Sequence, residues 1–432
     1  MPPGDSGLMS ARPEPDLAAA GYAETEYAVA GTAASYAAAV LPPDGRFALR
    51  PNETADFTTR IVLRRPTDPA RFSGTLLVEW LNVSGGRDTA PEWTYTAPEI
   101  LRRGHAWAGV SAQHAGVEGG TASVEIADAG SPGLKGSNPE RYSGLQHPGD
   151  AFAFDIFTQV ADALRAEVGS RVTIAVGESQ SAVTLTTYVN GVQPLTGLFD
   201  GFLIHSRGAV AAPLGTPGAG LVMDDVLRGH AVRIREDTTV PVLMVQTEGD
   251  LFGRIGYLPA RQPDTDRIRL WEVAGTAHAD KYLIGDFEEL LGCAEPVNRG
   301  QQCFVLRAAL RHLDRWARGG HAPPTVSRLE VDGDRFVLDA CGNVRGGVRT
   351  PVVDAPVEVL SGIAVPGSST LCRLFGSTSD LAAERVAALY PSRSDYLTAY
   401  AAACDAAISA GLLLAEDRAA VLADARPHLV PG

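Results

Sequence analysis

Lysine is almost absent from this sequence, and basic residues are fewer than acidic ones. Lys135 and Lys281 are the only lysines, and 37 basic residues face 51 acidic ones, which gives a formal net charge of -14. Nucleic acids and anionic membrane surfaces attract basic proteins, so we expect neither as the main partner. No apolar run is long enough to span a membrane. The first 17 residues lack a basic start followed by an apolar run, which predicts no signal peptide and a cytoplasmic protein.

Cysteine is also scarce, and its spacing is not that of a zinc site. The five cysteines, at positions 293, 303, 341, 372 and 404, contain no paired C-x-x-C pattern. Cys293 and Cys303 bracket a loop and would be able to pair in an oxidising compartment, whereas free thiols are expected in a cytosolic protein. A Gly-Lys-Ser/Thr phosphate loop and a Rossmann glycine spacing are both missing. The sequence therefore predicts neither a metal nor an organic cofactor.

The most informative stretch covers residues 171–190. Residues 172–176 are apolar and mostly β-branched, as in a buried strand of a parallel sheet. Residues 180–189 favour a helix that ends at Asn190-Gly191. Gly177-Glu-Ser-Gln-Ser181 lies between them, so Ser179 is predicted at a sharp strand-to-helix turn with small residues on either side. A serine held in this way is a candidate nucleophile, although Ser181 stands where this motif usually has glycine.

Strand and helix patterns alternate along the first three quarters of the chain. Strands are predicted at 22–30, 57–65, 74–81, 106–111, 172–176, within 199–208, from 241 and at 267–273. Helices are predicted at 90–103, 151–166, 180–189 and 303–318, with Asp150 as the cap of the second. Such alternation indicates an α/β fold with a mostly parallel central sheet and helices on both faces.

An acid and a histidine follow Ser179 in a suggestive order. Glu248 and Asp250 come directly after the strand that begins at 241, and His278 follows the next strand. An imidazole can accept the proton of a serine hydroxyl if a carboxylate orients its other ring nitrogen. We expect Asp250 in that role because hydrolase acids commonly stand a few residues beyond the strand end, and Glu248 stays open as the alternative.

With these residues placed, the chain resembles the α/β-hydrolase superfamily. More narrowly, it resembles a bacterial family described as alpha/beta hydrolase domain proteins. The stretches that carry the likeness are Val78-Glu-Trp-Leu-Asn-Val-Ser-Gly-Gly86, His147-Pro-Gly-Asp150, Gly177-Glu-Ser-Gln-Ser181, His205-Ser-Arg-Gly208 and Trp271-Glu-Val-Ala-Gly-Thr-Ala-His278. The resemblance implies an α/β-hydrolase fold and a serine esterase with Ser179 as its nucleophile. In this fold, the backbone N–H groups of Gln180 and of Val83 or Asn82 would form the oxyanion hole.

Further residues are expected around this site. His205 and Arg207 follow a strand at the carboxyl edge of the sheet, where ligands of such sheets bind. Arg207 would hold a substrate carboxylate or pair with a protein acid, and the sequence favours neither. The predicted organisation is a disordered or extended N-terminus (1–21), a core (22–324) with cap insertions at 113–146 and 209–236, and a C-terminal extension (325–432). The extension is expected to pack on the core or cover the site.

The predicted activity is hydrolysis of a small carboxylic ester or lactone through an acyl-enzyme. Two alternatives stay open at this stage. One is an acyltransferase that uses the same residues with an alcohol acceptor. The other is a ligand-binding protein that has kept the scaffold without turnover. Neither the substrate nor the oligomeric state is indicated by the sequence.

Overall fold

The computed structural model describes residues 7–124 and 130–431, and a single eight-stranded sheet dominates it. The spatial order of the strands is β1-β2-β4-β3-β5-β6-β7-β8. Their bounds are β1 Tyr22–Ala37, β2 Arg50–Pro66, β3 Thr75–Trp80, β4 Ala106–Val110, β5 Val172–Glu178, β6 Gly201–His205, β7 Val242–Thr247 and β8 Ile268–Val273.

Strand direction divides the sheet into two parts. The long strands β1 and β2 pair antiparallel at one edge, and β2 runs antiparallel to β4. All neighbours from β4 to β8 are parallel. The inner strands are buried throughout, because helices cover both faces of a parallel sheet. The predicted α/β-hydrolase architecture is confirmed.

Five helices of the described residues are longer than the others. They are α1 Pro91–Arg103, α2 Ala153–Val168, α3 Gln180–Thr187, α4 Gln302–Ala317 and α5 Arg393–Ser409. Adjacent residues of β3 show that α1 and α2 cover opposite faces, because side chains alternate along a strand. The Trp80 ring packs against the tilted rings of Phe154 and Phe157 of α2, whereas the Glu79 carboxylate accepts the backbone N–H groups at the start of α1.

Shorter helical elements fill the connections and the C-terminal extension. The α-helical ones are His114–Glu118, Gly133–Ser137, Pro139–Tyr142, Gln193–Thr196, Met223–Val226, Glu248–Leu251, Lys281–Ile284, Glu288–Leu291, Pro351–Asp354, Thr370–Leu374, Ala383–Leu389 and Arg418–Ala423. The 3-10 turns are Pro69–Arg71, Asp150–Phe152, Leu258–Ala260, Gly285–Phe287, Ala415–Asp417 and Pro427–Leu429. Within the described ranges, no helix has both the length and the apolarity needed to cross a membrane.

The helix after Ser179 is longer than predicted. It does not end at Asn190-Gly191 but continues through a π turn, Tyr188–Val192, and through Gln193–Thr196 to a left-handed Gly197. The amide of Asn190 bonds to the backbone of Arg233 and Arg235, so it anchors a neighbouring loop instead of terminating the helix. The stop signal therefore failed because tertiary contacts use the Asn side chain.

The insertion at 113–146 contains regular structure. Three short helices occupy it, while its residues 125–129 lie outside the described residues. Asp150 does not cap α2, which begins three residues later. Its carboxylate instead accepts the backbone N–H groups of His114 and Leu221, one from each of the two insertions. The Asp150 carboxylate thus connects the two insertions.

The C-terminal extension shares the hydrophobic core of the sheet. Buried residues from Leu329 to Val430 belong to the same apolar cluster as the strands, and Val348 forms a β-bridge with Val273 at the end of β8. A short hairpin, β9 Val331–Asp332 with β10 Arg335–Phe336, lies near the start of the extension. A second pair, β11 Glu358–Ser361 with β12 Ser377–Asp380, follows it. At the other end of the chain, Glu14 bonds to Arg64 and Trp93 and docks the N-terminal segment on the core.

A disulfide joins the extension to the segment after His278. Cys293 pairs with Cys372, not with Cys303, which is buried as a free thiol in the first turn of α4. The prediction of a free thiol is therefore wrong for Cys293, and so is the alternative prediction that Cys293 pairs with Cys303. Sequence spacing misled because the true partner lies 79 residues away and is brought close only by the folding back of the extension.

Removing this disulfide is expected to destabilise the protein. Replacing Cys293 by serine releases a loop of 79 residues, and the loop-entropy model predicts a loss of about 4 kcal/mol for that length. Thermal or urea unfolding of the oxidised protein and of the Cys293→Ser variant measures the difference. The same measurement on Cys303→Ser is the control. Equal stability of the oxidised protein and Cys293→Ser would contradict the pairing.

Candidate active site

Ser179 occupies a strained turn between β5 and α3. Its backbone has φ 59° and ψ -117°, a region that residues with a side chain rarely adopt. The turn is held because the Ser179 N–H donates to the carbonyl of His205 at 2.9 Å. A side chain at Gly177 would lie 3.0 Å from the Cβ of Ser181, which is itself fully buried. Small residues are therefore required on both sides of Ser179, and serine is small enough at position 181.

The hydroxyl of Ser179 is in contact with an imidazole and, through it, with a carboxylate. Ser179 Oγ lies 2.8 Å from His278 Nε2, and His278 Nδ1 lies 2.6 Å from Asp250 Oδ1. The other oxygen of Asp250 accepts the N–H of Thr247 at 2.6 Å, which fixes the carboxylate. The three side chains follow the ends of β5, β7 and β8, parallel strands of one sheet whose carboxyl ends lie at the same edge.

Burial and charge act against each other on this pair. Burial alone would raise the pKa of Asp250, but the hydrogen bond and charge of His278 hold it below the usual value. Burial would lower the pKa of His278, but Asp250 overcomes this and raises it. An imidazole made more basic by a buried carboxylate is suited to accept the proton of Ser179.

Glu248 lies apart from this contact. Its carboxylate accepts the backbone N–H groups of Gly275 at 2.5 Å and of Gly362 at 2.8 Å. Burial raises its pKa to about 7, against the effect of these two hydrogen bonds. The structure thus brings Asp250, not Glu248, to His278, and Glu248 connects the end of β8 to the C-terminal extension.

Two backbone N–H groups near Ser179 have no acceptor in the described part of the chain. They belong to Val83, after β3, and to Gln180, the first residue of α3. The N–H of Asn82 donates to Thr89 at 3.0 Å and is not available, so Asn82 is wrong as a backbone donor. Its side chain has another role. Asn82 Oδ1 accepts the N–H of Ser84, and Nδ2 reaches across to the turn around Ser179.

Glu178 is a residue of the site that the sequence reasoning missed. Its Oε2 accepts a hydrogen bond from Asn82 Nδ2 at 3.1 Å, and its Oε1 lies 3.5 Å from His278 Nε2. Burial raises the pKa of Glu178 to about 7, although His278 and His205 act in the other direction. The available signal was an acidic residue inside a motif whose flanking strand is otherwise apolar.

His205 and Arg207 were predicted to line the site at the carboxyl edge of the sheet. Both are fully buried. Arg207 donates to the backbone carbonyls of Gly208, Ala209 and Val232, and it forms no ion pair with an acid among the described residues. His205 Nδ1 lies 2.9 Å from Glu92 Oε1. Burial would lower the pKa of His205, but the Glu92 carboxylate dominates and raises it to about 9.

The parallel sheet, the strained turn and the serine, imidazole and carboxylate at one sheet edge are the features of an α/β-hydrolase. The chain matches the family model described as "Alpha/beta hydrolase domain" over residues 1–423, and it belongs to this family. A comparison with curated proteins found no match.

Solved structures similar to this chain are distant in sequence. A cold-adapted esterase from an Arctic intertidal metagenomic library is 15% identical, with a TM-score of 0.31 over 58% of this chain and 84% of its own. An α/β serine hydrolase without a lid from Xanthomonas campestris is 14% identical, with a TM-score of 0.34 over 62% and 92%. A thermostable carboxyl esterase from Bacillus coagulans is 9% identical, with a TM-score of 0.24 over 35% and 41%.

Proposed function

We propose that this protein is a serine hydrolase that cleaves a small carboxylic ester or lactone. The observation that carries the proposal is the chain of contacts from Ser179 Oγ to His278 Nε2 at 2.8 Å and from His278 Nδ1 to Asp250 at 2.6 Å. This arrangement is the one in which a weakly acidic hydroxyl becomes a nucleophile at neutral pH. The strained backbone at Ser179 supports it, since such strain recurs at catalytic residues.

Acylation follows from these positions. Ser179 Oγ attacks the carbonyl carbon while its proton passes to His278 Nε2, and the carbonyl oxygen becomes an oxyanion. The unpaired N–H groups of Val83 and Gln180 stabilise this oxyanion by hydrogen bonds. The bond to the leaving oxygen then breaks, and His278 returns the proton to that oxygen. Asp250 stabilises the imidazolium and fixes the tautomer with its proton on Nδ1.

Deacylation repeats the same sequence with water. His278 takes a proton from a water molecule, the hydroxide attacks the acyl carbon, and the Ser179 oxygen leaves with the proton. Neither step uses a metal or an organic cofactor. An alcohol in place of water would give acyl transfer with the same residues, so the chemistry of acylation is common to both reactions.

Covalent labelling with a fluorophosphonate tests the proposal without knowledge of the natural ester. We expect one adduct per chain, mapped to Ser179 by peptide mass spectrometry, and none in Ser179→Ala. His278→Ala should label far more slowly because it has lost the base. A wild-type protein that stays unlabelled, or that labels at another serine, would refute the proposal and favour a binding protein on a hydrolase scaffold.

A further inference from the structure

Glu178 stands at an unusual place, on the nucleophile side of the catalytic histidine. Asp250 contacts Nδ1 of the imidazole, whereas Glu178 Oε1 lies 3.5 Å from Nε2, the nitrogen that also contacts Ser179 Oγ. The side chain is only 6–7% exposed. In such a buried place, a carboxylate and an imidazolium at this separation interact much more strongly than they would in water.

The position of Glu178 is fixed by Asn82. The amide Nδ2 donates to the backbone oxygen and to Oε2 of Glu178, both at 3.1 Å. Asn82 Oδ1 accepts the N–H of Ser84, so the same amide also holds the loop that carries Val83. One side chain thus connects the carboxylate beside the histidine to the predicted oxyanion hole.

The groups around Glu178 alternate in charge. Those that influence its ionisation, or are influenced by it, are His278, His205, Glu92, Asp250 and Tyr95. Glu92 forms an ion pair with His205, which lies at the end of the neighbouring strand β6. A second negative charge next to His278 is therefore offset by a protonated His205 behind it. This offset lowers the cost of ionising a buried carboxyl group.

We propose that ionised Glu178, held by Asn82, is a second carboxylate that stabilises the His278 imidazolium from its Nε2 side. This inference rests on the proposed function. Glu178 takes up no proton during the reaction. The proton moves from Ser179 Oγ to His278 Nε2 and on to the leaving group, while Glu178 supplies only negative charge. It is thus a positioning and electrostatic residue for His278.

The proposal predicts a specific dependence of the labelling rate on pH. The reactive form needs His278 neutral and Glu178 ionised, so two protons must leave the pair as the pH rises. In a plot of the logarithm of the labelling rate against pH, the slope of the acid limb should then be greater than one. In Glu178→Gln only His278 titrates. The limb should fall to a slope of one and move to lower pH, because the negative neighbour that made His278 more basic is gone.

The experiment measures the second-order rate of fluorophosphonate labelling from acid to mildly alkaline pH. In this reaction Ser179 Oγ bonds to phosphorus and fluoride leaves. For Glu178→Gln we expect the shallower, acid-shifted limb and a plateau rate about 10- to 100-fold lower. Glu178→Asp keeps the charge and should keep the steep limb. An unchanged limb in Glu178→Gln, whatever its plateau, would overturn the inference while leaving the proposed function intact.

Two further variants separate electrostatics from folding. Glu248→Gln neutralises another buried glutamate whose pKa is also raised to about 7 and which contacts backbone N–H groups instead of His278. It should keep the wild-type limb. Asn82→Ala removes a donor to the ionised form of Glu178, so its limb should move to higher pH, opposite to Glu178→Gln. If the acid limbs of Glu178→Gln and Asn82→Ala moved in the same direction along the pH axis, the inference would be contradicted. Asn82→Ala keeps the test usable if Glu178→Gln folds poorly, because an acid limb at or below the wild-type pH in Asn82→Ala would contradict the inference by itself. Wild type that fails to label at Ser179 would instead refute the proposed function.

Discussion

Alanine at Ser179 or at His278 is expected to lower kcat/KM for ester hydrolysis by about 10⁴- to 10⁶-fold, and the double variant should be no worse than the worse single variant. The reason is that Ser179 Oγ and His278 Nε2, 2.8 Å apart, act on one proton in one step. Once either is missing, the other has no partner, so its removal costs little more. Any residual rate comes from the N–H groups that stabilise the oxyanion.

Steady-state kinetics on a short-chain aryl ester would measure this, with thermal unfolding to show that each variant is folded. Ser181→Ala is the matched control, because this fully buried serine has no hydrogen-bond partner for its hydroxyl among the described residues. It should retain activity within a few fold. Additive losses in the double variant would mean that the two residues do not act together and would contradict the proposed mechanism.

The sequence predicted the sheet and the approximate place of the site because those features depend on local patterns. The apolar runs at β5, β7 and β8 are buried on both faces, and each ends at a polar turn. Parallel strands of one sheet bring the residues after their carboxyl ends to the same edge. Ser179, Asp250 and His278 therefore meet, although 99 residues separate the first from the last.

The errors came from contacts that no local pattern records. Asn82 was one of two alternatives, with Val83, for a backbone donor, but its N–H donates to Thr89 and its side chain reaches Glu178, 96 residues away. Arg207 was expected to hold a substrate carboxylate or to pair with a protein acid, yet three backbone carbonyls accept its hydrogen bonds. Such pairings depend on how the loops after β3 and β6 fold back, which periodicity does not specify.

Glu248 connects the C-terminal extension to the carboxyl edge of the sheet. This carboxylate bridges Gly275, three residues before His278, and Gly362 of the extension. A Cβ at Gly362 would lie 2.4 Å from the backbone nitrogen of Gly249, so glycine is required for this close approach. The loops that carry Asp250 and His278 are therefore supported by residues more than 80 positions further along the chain. Glu248 is expected to affect stability more than chemistry.

The two acids after β7 can be separated by amide substitution. Asp250→Asn should lower kcat/KM by about 10³- to 10⁴-fold, because an amide neither stabilises the imidazolium nor fixes the tautomer with its proton on Nδ1. Glu248→Gln should keep kcat/KM within about tenfold but lower the free energy of unfolding by about 1–3 kcal/mol, since an amide replaces a carboxylate that accepts two buried N–H groups.

Parallel kinetics and unfolding curves on the two variants test this assignment, and the pH dependence of stability provides a second criterion. Burial raises the folded-state pKa of Glu248 to about 7, so the folded protein holds this proton more tightly than the unfolded chain. Its contribution to stability is full below the unfolded pKa of about 4.3 and is lost as the pH rises towards 7. The pKa of Asp250 is depressed, so its contribution is present above the unfolded pKa and is lost on acidification. Glu248→Gln should therefore flatten the decline in stability between about pH 4.3 and 7. If Glu248→Gln lost more activity than Asp250→Asn, the roles of the two acids would have to be exchanged.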